Sequence, residues 1–200
     1  MDQDTNRVAL KDAIYKRRST RAYTTQQVPS DILEEIIDAG RHAPTGNNLQ
    51  TTHFYVITNA DKLSELRSTV TKALASMEIT ENMVPYFVSL INRAKEQEVD
   101  VIYGAPALIV TASKKGSSNS VADCSCALQN MMLTASACGL GNCWINQFFN
   151  LRDVPPIKAF FTGLGVLEDE EICGSLALGY TEKLVDTPLP RTGYPVTYIL

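Results

Sequence analysis

The sequence predicts an α+β fold in which a small, mainly antiparallel sheet is surrounded by helices. Short runs of β-branched and aromatic residues alternate with longer segments whose apolar residues recur at helical spacing. Hydrophobic residues make up 44% of the 200 residues and charged residues 20%, which is ordinary usage for a globular protein. This length and the lack of internal repeats predict a single domain over residues 1–200.

Two helices are predicted in the first quarter of the chain. The first covers residues 8–16 and ends where a group of basic residues begins. The second follows Pro29, with Ser30 as the expected N-cap and Asp31 in the first turn, where negative charge favours a helix. Apolar residues at helical spacing give it one buried face, and Pro44 ends it.

Two further helical regions lie in the middle of the chain. Residues 61–102 are mostly helical, with an interruption near Pro85. The aromatic residues of 61–103 favour ordinary core packing, with a helical lid insertion as the alternative. Residues 121–138 are apolar on nearly every side, which is typical of a helix at the centre of a protein or at a subunit interface. Gly139 supplies a signal for its end.

Four strands are predicted, at residues 53–58, 107–112, 173–180 and 196–199. The last of them follows a long connection that contains three prolines. A strand at the end of such an arm is placed to pair with a neighbouring sheet, including a sheet in another subunit.

Charge and composition exclude several partners. A formal net charge of −4 argues against bulk attraction to nucleic acid or to acidic membranes. The polar start of the chain does not have the form of a secretory signal, and no apolar, charge-free stretch reaches the ~18 residues needed to span a bilayer. The five cysteines are an odd number and four lie in or just after one apolar pattern, which indicates reduced thiols in a cytoplasmic protein.

Common catalytic templates are missing from the sequence. With only two histidines, a histidine-rich metal site is not expected. There is no Gly-x-Ser-x-Gly, Walker or His-Glu-x-x-His motif, and Gly139-x-Gly141 lacks the third glycine of a dinucleotide fingerprint. We therefore expect no bound metal and no side-chain nucleophile.

The basic segment, residues 16–21, concentrates Arg17, Arg18 and Arg21 in an otherwise acidic chain. A charge run of this kind is either a solvated surface or an anion site. The segment falls at a helix end and includes hydroxyls that donate to phosphate, and guanidinium groups bind phosphate as bidentate partners. These features favour a small phosphorylated ligand.

The amide loop, residues 43–50, joins the second helix to the first strand. Its Pro-x-Gly-Asn pattern is ordinary turn chemistry. Turn chemistry does not explain the high density of amide side chains in this loop. Asn47, Asn48 and Gln50 offer hydrogen-bond donors and acceptors together. Such a surface suits the mixed polar edge of a heterocycle.

Taken together with Gly139-Leu140-Gly141-Asn142-Cys143-Trp144-Ile145, the basic segment and the amide loop resemble the nitroreductase family of FMN-dependent NAD(P)H oxidoreductases. The order and spacing of these motifs match over almost the whole chain and end near Gly179-Tyr180 and Arg191. The resemblance implies a homodimer with FMN sites at its interface and a C-terminal arm that adds a strand to the partner's sheet.

The resemblance also implies the site residues. Arg17, Ser19 and Arg191 hold the FMN phosphate, Arg18 supports the same segment, and Arg21 lies near the N1 and O2 edge of the flavin. The other subunit supplies Pro44, Thr45, Gly46 and Asn48, while Trp144, Ile145 and Asn146 follow the flavin's face or edge.

The implied activity is hydride transfer from NAD(P)H to flavin N5, followed by reduction of a nitroaromatic, quinone or similar acceptor in a ping-pong cycle. The sequence departs from the family at Thr51-Thr52, Asn146 and Leu189, and the first two lie at the substrate end. Two alternatives therefore remain open. One is a specialised flavin enzyme of the same fold, dehalogenase-like or flavin-cleaving, and the other is a non-catalytic binder of a phosphorylated ligand.

Overall fold

A computed structural model describes residues 3–185, 187–193 and 195–199. In these ranges the helices are α1 (Gln3–Lys16), α2 (Ser30–Arg41), α3 (Ala60–Ala75), α4 (Pro85–Glu96), α5 (Ser120–Ala137), α6 (Gln147–Leu151) and α7 (Pro155–Gly163), with one 3-10 turn (Gly46–Asn48). The strands are β1 (His53–Ile57), β2 (Ala107–Lys114), β3 (Gly141–Trp144) and β4 (Glu170–Gly179).

The four strands form one antiparallel sheet in the order β1-β2-β4-β3. Side chains alternate across it, so Leu108 and Val110 pack with α3, α4, α6 and α7, whereas Ala107 and Ile109 pack with α2 and α5. Two apolar cores therefore lie on the two faces of the sheet. The predicted α+β class is confirmed.

Most predicted elements are present, with shifted ends. The helix predicted over residues 8–16 begins at Gln3, and the one predicted over 121–138 runs from Ser120 to Ala137. The predicted N-cap was wrong, because Pro29 occupies the cap position and Ser30 is the first helical residue. A proline fits there because its fixed φ suits the extended cap conformation and it has no N–H to satisfy.

Strand β3 was not predicted as a strand. Its four residues, Gly-Asn-Cys-Trp, include two that are depleted in strands, so the local sequence favours a loop. The strand forms because its pairing with β4 supplies hydrogen-bond partners from residues distant in the chain.

The terminal strand predicted to pair with the sheet of another subunit is not formed within a single chain and stays a prediction. Residues 196–199 form no strand in the described part of the structure, and Tyr198 and Ile199 are 81% and 96% exposed. An extended segment becomes a strand only where a sheet edge offers its N–H and C=O groups partners. Met1 and Asp2, at the polar start of the chain, lie outside the described residues.

Residues 61–103 pack into the protein rather than standing apart from it. Helices α3 and α4 contribute Leu66, Val70 and Ile91 to the core beneath the sheet, and the break between the helices ends at Pro85, the first residue of α4. Helix α5 lies across the other face, although Val121 and Cys126 remain exposed. Among the described residues, no helix combines the length and apolarity needed to cross a membrane.

Candidate functional site

Strand β3 positions the basic segment. The Thr20 N–H donates to the Asn142 carbonyl at 2.8 Å, and Ser19 forms a parallel bridge with the same residue. A Cβ at Gly141 would lie 2.7 Å from Thr20 Cγ2, so glycine is required for this close approach. The Gly-Leu-Gly-Asn motif therefore places the arginines beside the sheet edge.

A cavity of about 590 Å³ opens beside the basic segment, between the end of α1, the end of α5 and residues 181–185. Its volume is within the range of small-molecule sites. The single carboxylate among its described lining residues, Asp12, pairs with Lys16 at 2.7 Å. The cationic side chains that line the cavity are Lys16, Arg17, Arg18, Arg21 and Lys183.

Arg17 is a half-buried cation with no counter-charge among the described residues. Its Nη1 is buried and has no hydrogen-bond partner among the described residues, and no described carboxylate pairs with it. Burial lowers the pKa of Arg17, and repulsion from Arg191 and Arg18 lowers it further. Because an unpaired buried cation is costly, this geometry is suited to an anionic ligand.

Arg18 has a different environment, since its guanidinium donates to protein carbonyls. It binds the carbonyl oxygens of Tyr15 at 3.1 Å and Arg17 at 2.8 Å, and also that of Thr187 in the C-terminal arm. Arg18 therefore ties the end of α1 to the arm, which agrees with a supporting contribution to the segment.

Arg21 is exposed and lies beside Tyr103, one of the aromatic residues for which the sequence left core packing and a lid as alternatives. The guanidinium carbon is 5.9 Å from the centre of the Tyr103 ring, and hydrogen bonding to Tyr103 is the main cause that raises the pKa of Arg21. Tyr103 has a φ of 60°, which is uncommon for a bulky residue.

The segment after β3 is largely engaged by the protein itself. Trp144 is half-buried and packs over Gly174, where a Cβ would lie 3.3 Å from its ring. The Ile145 N–H donates to the Ser175 carbonyl at 2.8 Å, and the Ser175 hydroxyl donates back to the Ile145 carbonyl at 2.7 Å. Ile145 is buried, whereas Asn146 is exposed at the start of α6.

The amide loop adopts an uncommon backbone conformation. Asn47, Asn48 and Gln50 all have positive φ, between 52° and 55°. The Gln50 N–H donates to Thr45 Oγ1 at 3.1 Å, and the Gln50 side chain donates to Asn48 Oδ1 at 3.0 Å. The Gly46 N–H donates to both carboxylate oxygens of Asp123, at 3.1 and 3.2 Å.

A single chain does not bring the two motifs into one cavity. None of the residues of the amide loop lines the cavity at the basic segment, and Thr45 and Gln50 instead line a separate cavity of about 670 Å³. This separation is compatible with the implied arrangement in which another subunit supplies the loop.

A hydrogen-bonded cluster at the second cavity was also missed. Tyr55 donates to Glu170 at 2.5 Å, and His53 Nδ1 lies 3.0 Å from the same carboxylate. Burial raises the pKa of Glu170, but its hydrogen bonds from Tyr55, the Leu167 N–H and His53 together hold it below the ordinary value. The partners come from β1 and β4, so sequence distance concealed them.

The potential metal ligands and the cysteines are distributed as follows among the described residues. No group of three or more potential metal ligands occurs among its residues. All five cysteines are free, as predicted. Cys143 lies close to the basic segment, where burial raises the pKa of its thiol despite the nearby Arg21 and Arg17.

Comparison with known proteins identifies the family. The nitroreductase-family model matches residues 14–180. An FMN-bound nitroreductase structure from Bacteroides fragilis is 32% identical, covers 94% of this chain and 98% of its own, and has a TM-score of 0.84. The nitrobenzene nitroreductase of Ectopseudomonas oleovorans is 23% identical over 87% of each chain. The 4-nitrobenzoate reductase of Pseudomonas putida is 26% identical over 85% of this chain and 84% of its own. Because the family model matches most of the chain and a 32% identical nitroreductase shares its fold, this chain belongs to the nitroreductase family.

Proposed function

We propose that the protein is an FMN-dependent oxidoreductase that takes electrons from NAD(P)H and reduces nitroaromatic, quinone or similar electron-poor acceptors in a ping-pong cycle. The observation that carries the proposal is the half-buried Arg17, whose Nη1 lies at a cationic cavity and has no partner in the described part of the chain. The FMN in the Bacteroides fragilis relative supports flavin as the ligand.

The residues at the cavity fit the phosphate of FMN. Arg17 and Arg191 repel one another and have no described carboxylate partner, so a phosphate relieves an existing charge imbalance. Ser19 adds a hydroxyl donor, and Arg18 fixes the segment through backbone carbonyls. A non-catalytic protein that binds a phosphorylated ligand would use the same cationic residues, and the experiment below distinguishes it from a flavin enzyme.

The flavin ring would lie toward Arg21 and the segment after β3. Arg21 would stabilise negative charge at the N1 and O2 edge, since it is a permanent cation oriented by Tyr103. Trp144, Ile145 and Asn146 would line the ring, with Ile145 contributing through its backbone. FMN supplies the hydride chemistry when bound, so no side chain of this protein is assigned as a catalytic acid or nucleophile.

We propose that two chains form the functional unit, with Pro44, Thr45, Gly46 and Asn48 reaching the flavin of the other subunit. The exposed apolar residues support a large interface, because a monomer rarely exposes so many together. They lie on α1 and on the C-terminal arm: Val8, Leu10, Ile14, Tyr15, Leu184, Val185, Leu189, Val196, Tyr198 and Ile199. Residues 196–199 would pair with an edge strand of the partner's sheet, which would supply hydrogen-bond partners to their backbone N–H and C=O groups.

Within this unit we propose one FMN-binding domain over residues 1–200, in the cytoplasm. Residues 61–103 border the site through Tyr103 and through Tyr86, whose hydroxyl accepts a hydrogen bond from Gln147 at 2.8 Å. These two contacts would let the segment act as a cover over the flavin.

The deciding experiment measures flavin content, oligomeric state and turnover on one preparation. We expect a yellow dimer with one FMN per chain that bleaches with NADH or NADPH and recovers its colour with nitrobenzene or a quinone. A colourless protein that takes up no added FMN contradicts the proposal. A flavin that is reduced but unable to pass electrons to any of these acceptors indicates the specialised-enzyme alternative.

A further inference from the structure

Asp123 is a buried carboxylate that the proposed chemistry does not use. It lies in the first turn of α5 and is 8% exposed. No cation pairs with it in the described chain, and its side chain's hydrogen-bond partner there is the Gly46 N–H. The positive end of the helix dipole offsets part of the cost of burying this charge. The remaining free-energy cost of burying the carboxylate indicates that its contact with the Gly46 N–H has a function.

The amide loop needs external support because its backbone is strained. Three non-glycine residues with positive φ within four positions cost free energy, and such conformations persist only where the surroundings impose them. Inside the loop, Thr45 and Asn48 bind Gln50. These bonds shape the loop but do not attach it to the rest of the protein.

Gly46 is the point where the loop is attached to α5. Both oxygens of Asp123 accept its N–H, and a Cβ at Gly46 would lie 2.0 Å from Asn119 Nδ2 at the N-cap of the helix. The loop backbone therefore lies against the first turn of α5, and any side chain at position 46 would have to displace that of Asn119.

This attachment uses the backbone N–H of Gly46 and not the amide side chains of the loop. Asn48 Oδ1 accepts from Gln50, so the Asn48 Nδ2 donor is available to a ligand. We propose that Asp123 is a positioning residue for flavin binding, because its carboxylate fixes, through Gly46, the strained loop that presents Asn48 to the flavin of the other subunit. This inference rests on the proposed function, which assigns the loop to that flavin.

The first test compares FMN dissociation constants, measured by flavin fluorescence quenching. We expect Asp123→Ala to weaken binding about tenfold. Asp123→Asn keeps an oxygen acceptor and should restore most of the affinity. Asp153→Ala, which removes a carboxylate with 85% side-chain exposure, is the matched control and should bind as the wild type does.

The second test measures amide exchange at Gly46 in the FMN-free protein. Asp123→Ala should exchange this amide about tenfold faster, with little change in the amides of β2. In the double variant Asp123→Ala/Asn48→Ala, FMN binding should be no weaker than with Asn48→Ala alone, because both substitutions interrupt the same contact.

The outcomes separate the inference from the proposed function. Wild-type affinity in Asp123→Ala, or additive losses in the double variant, overturns the positioning assignment and leaves the flavin site intact. A wild-type protein that binds no FMN overturns both, and Gly46 exchange then reports only whether Asp123 fixes the loop.

Discussion

The basic segment and the amide loop are both polar, both follow a helix and both belong to the proposed flavin site, yet their hydrogen bonding is opposite. Arg17 has a buried guanidinium nitrogen with no described partner. The backbone of the loop is fixed by hydrogen bonds within the loop and by its attachment to Asp123 on α5. The comparison teaches that the charge of one region is balanced by a ligand, whereas the conformation of the other is fixed by its own chain.

The two regions therefore differ in whether their unfavourable free energy is present in the ligand-free protein alone or in both the free and the bound protein. Arg17, Arg18 and Arg191 repel one another until an anion is bound, so binding should stabilise the folded protein. The strain of the loop is present with or without a ligand and is offset by contacts inside the subunit. Variants of the two regions should consequently separate ligand affinity from intrinsic stability.

The largest expected effect is at Arg17. Arg17→Ala should weaken FMN binding roughly 100-fold, because it removes a charge-assisted contact to phosphate. The thermal midpoint of the FMN-free protein should stay the same or rise, because a repelled, half-buried cation is gone. Calorimetric titration and thermal unfolding check both, with Arg93→Ala on α4 as the control. A large loss of stability in the FMN-free protein would show that Arg17 is structural.

A smaller effect is expected at Gly46. Gly46→Ala should weaken FMN binding about tenfold, because the new methyl group meets Asn119 and displaces the loop. The nearest contact is a side-chain nitrogen, so the double variant Gly46→Ala/Asn119→Ala should recover much of the affinity. Failure of this rescue, measured by fluorescence quenching, would mean that the loop backbone rather than Asn119 opposes the methyl group.

A variant at Tyr103 tests how far the contribution of Arg21 to flavin binding depends on a neighbouring side chain of the same subunit. Tyr103→Phe keeps the ring near Arg21 but removes the hydroxyl, and we expect FMN affinity to fall about threefold. The midpoint potential of the bound flavin should move in the same direction as in Arg21→Ala, but less. An unchanged potential in both variants would remove Arg21 from the flavin edge.

The smallest effect concerns Glu170, which connects the strand after the amide loop to β4. Its folded pKa is depressed, so its contribution to stability is present above the unfolded value of about 4.3 and is lost as the pH falls through the folded value. Glu170→Gln should cost about 1 kcal/mol near pH 7 and less at an acid pH at which Glu170 is protonated in the folded protein. Urea unfolding at the two pH values checks the difference, and an equal loss at both would assign the effect to packing.

Local sequence patterns were sufficient for the elements that carry their own signal. The β-branched run of β2 and the apolar spacing of α2 predicted both elements within about two residues, because burial imposes a period on the sequence. Strand β3 failed this test, since Gly141 and Asn142 become strand residues only through pairing with β4. Residues 196–199 are the opposite case. Their composition is typical of a strand, but within the described chain they are exposed and pair with no other strand.

The sequence by itself determined the family, the fold class and the position of the arginines, because each rests on residue types at fixed spacing. Only the tertiary structure decided which guanidinium nitrogens are buried without a described partner, that Arg21 lies beside Tyr103, and that Asp123 attaches the amide loop at Gly46. Two of these three properties are contacts between residues 77 or more positions apart, and the third is the burial of guanidinium atoms. Such properties depend on how separate elements pack, and no local pattern encodes them.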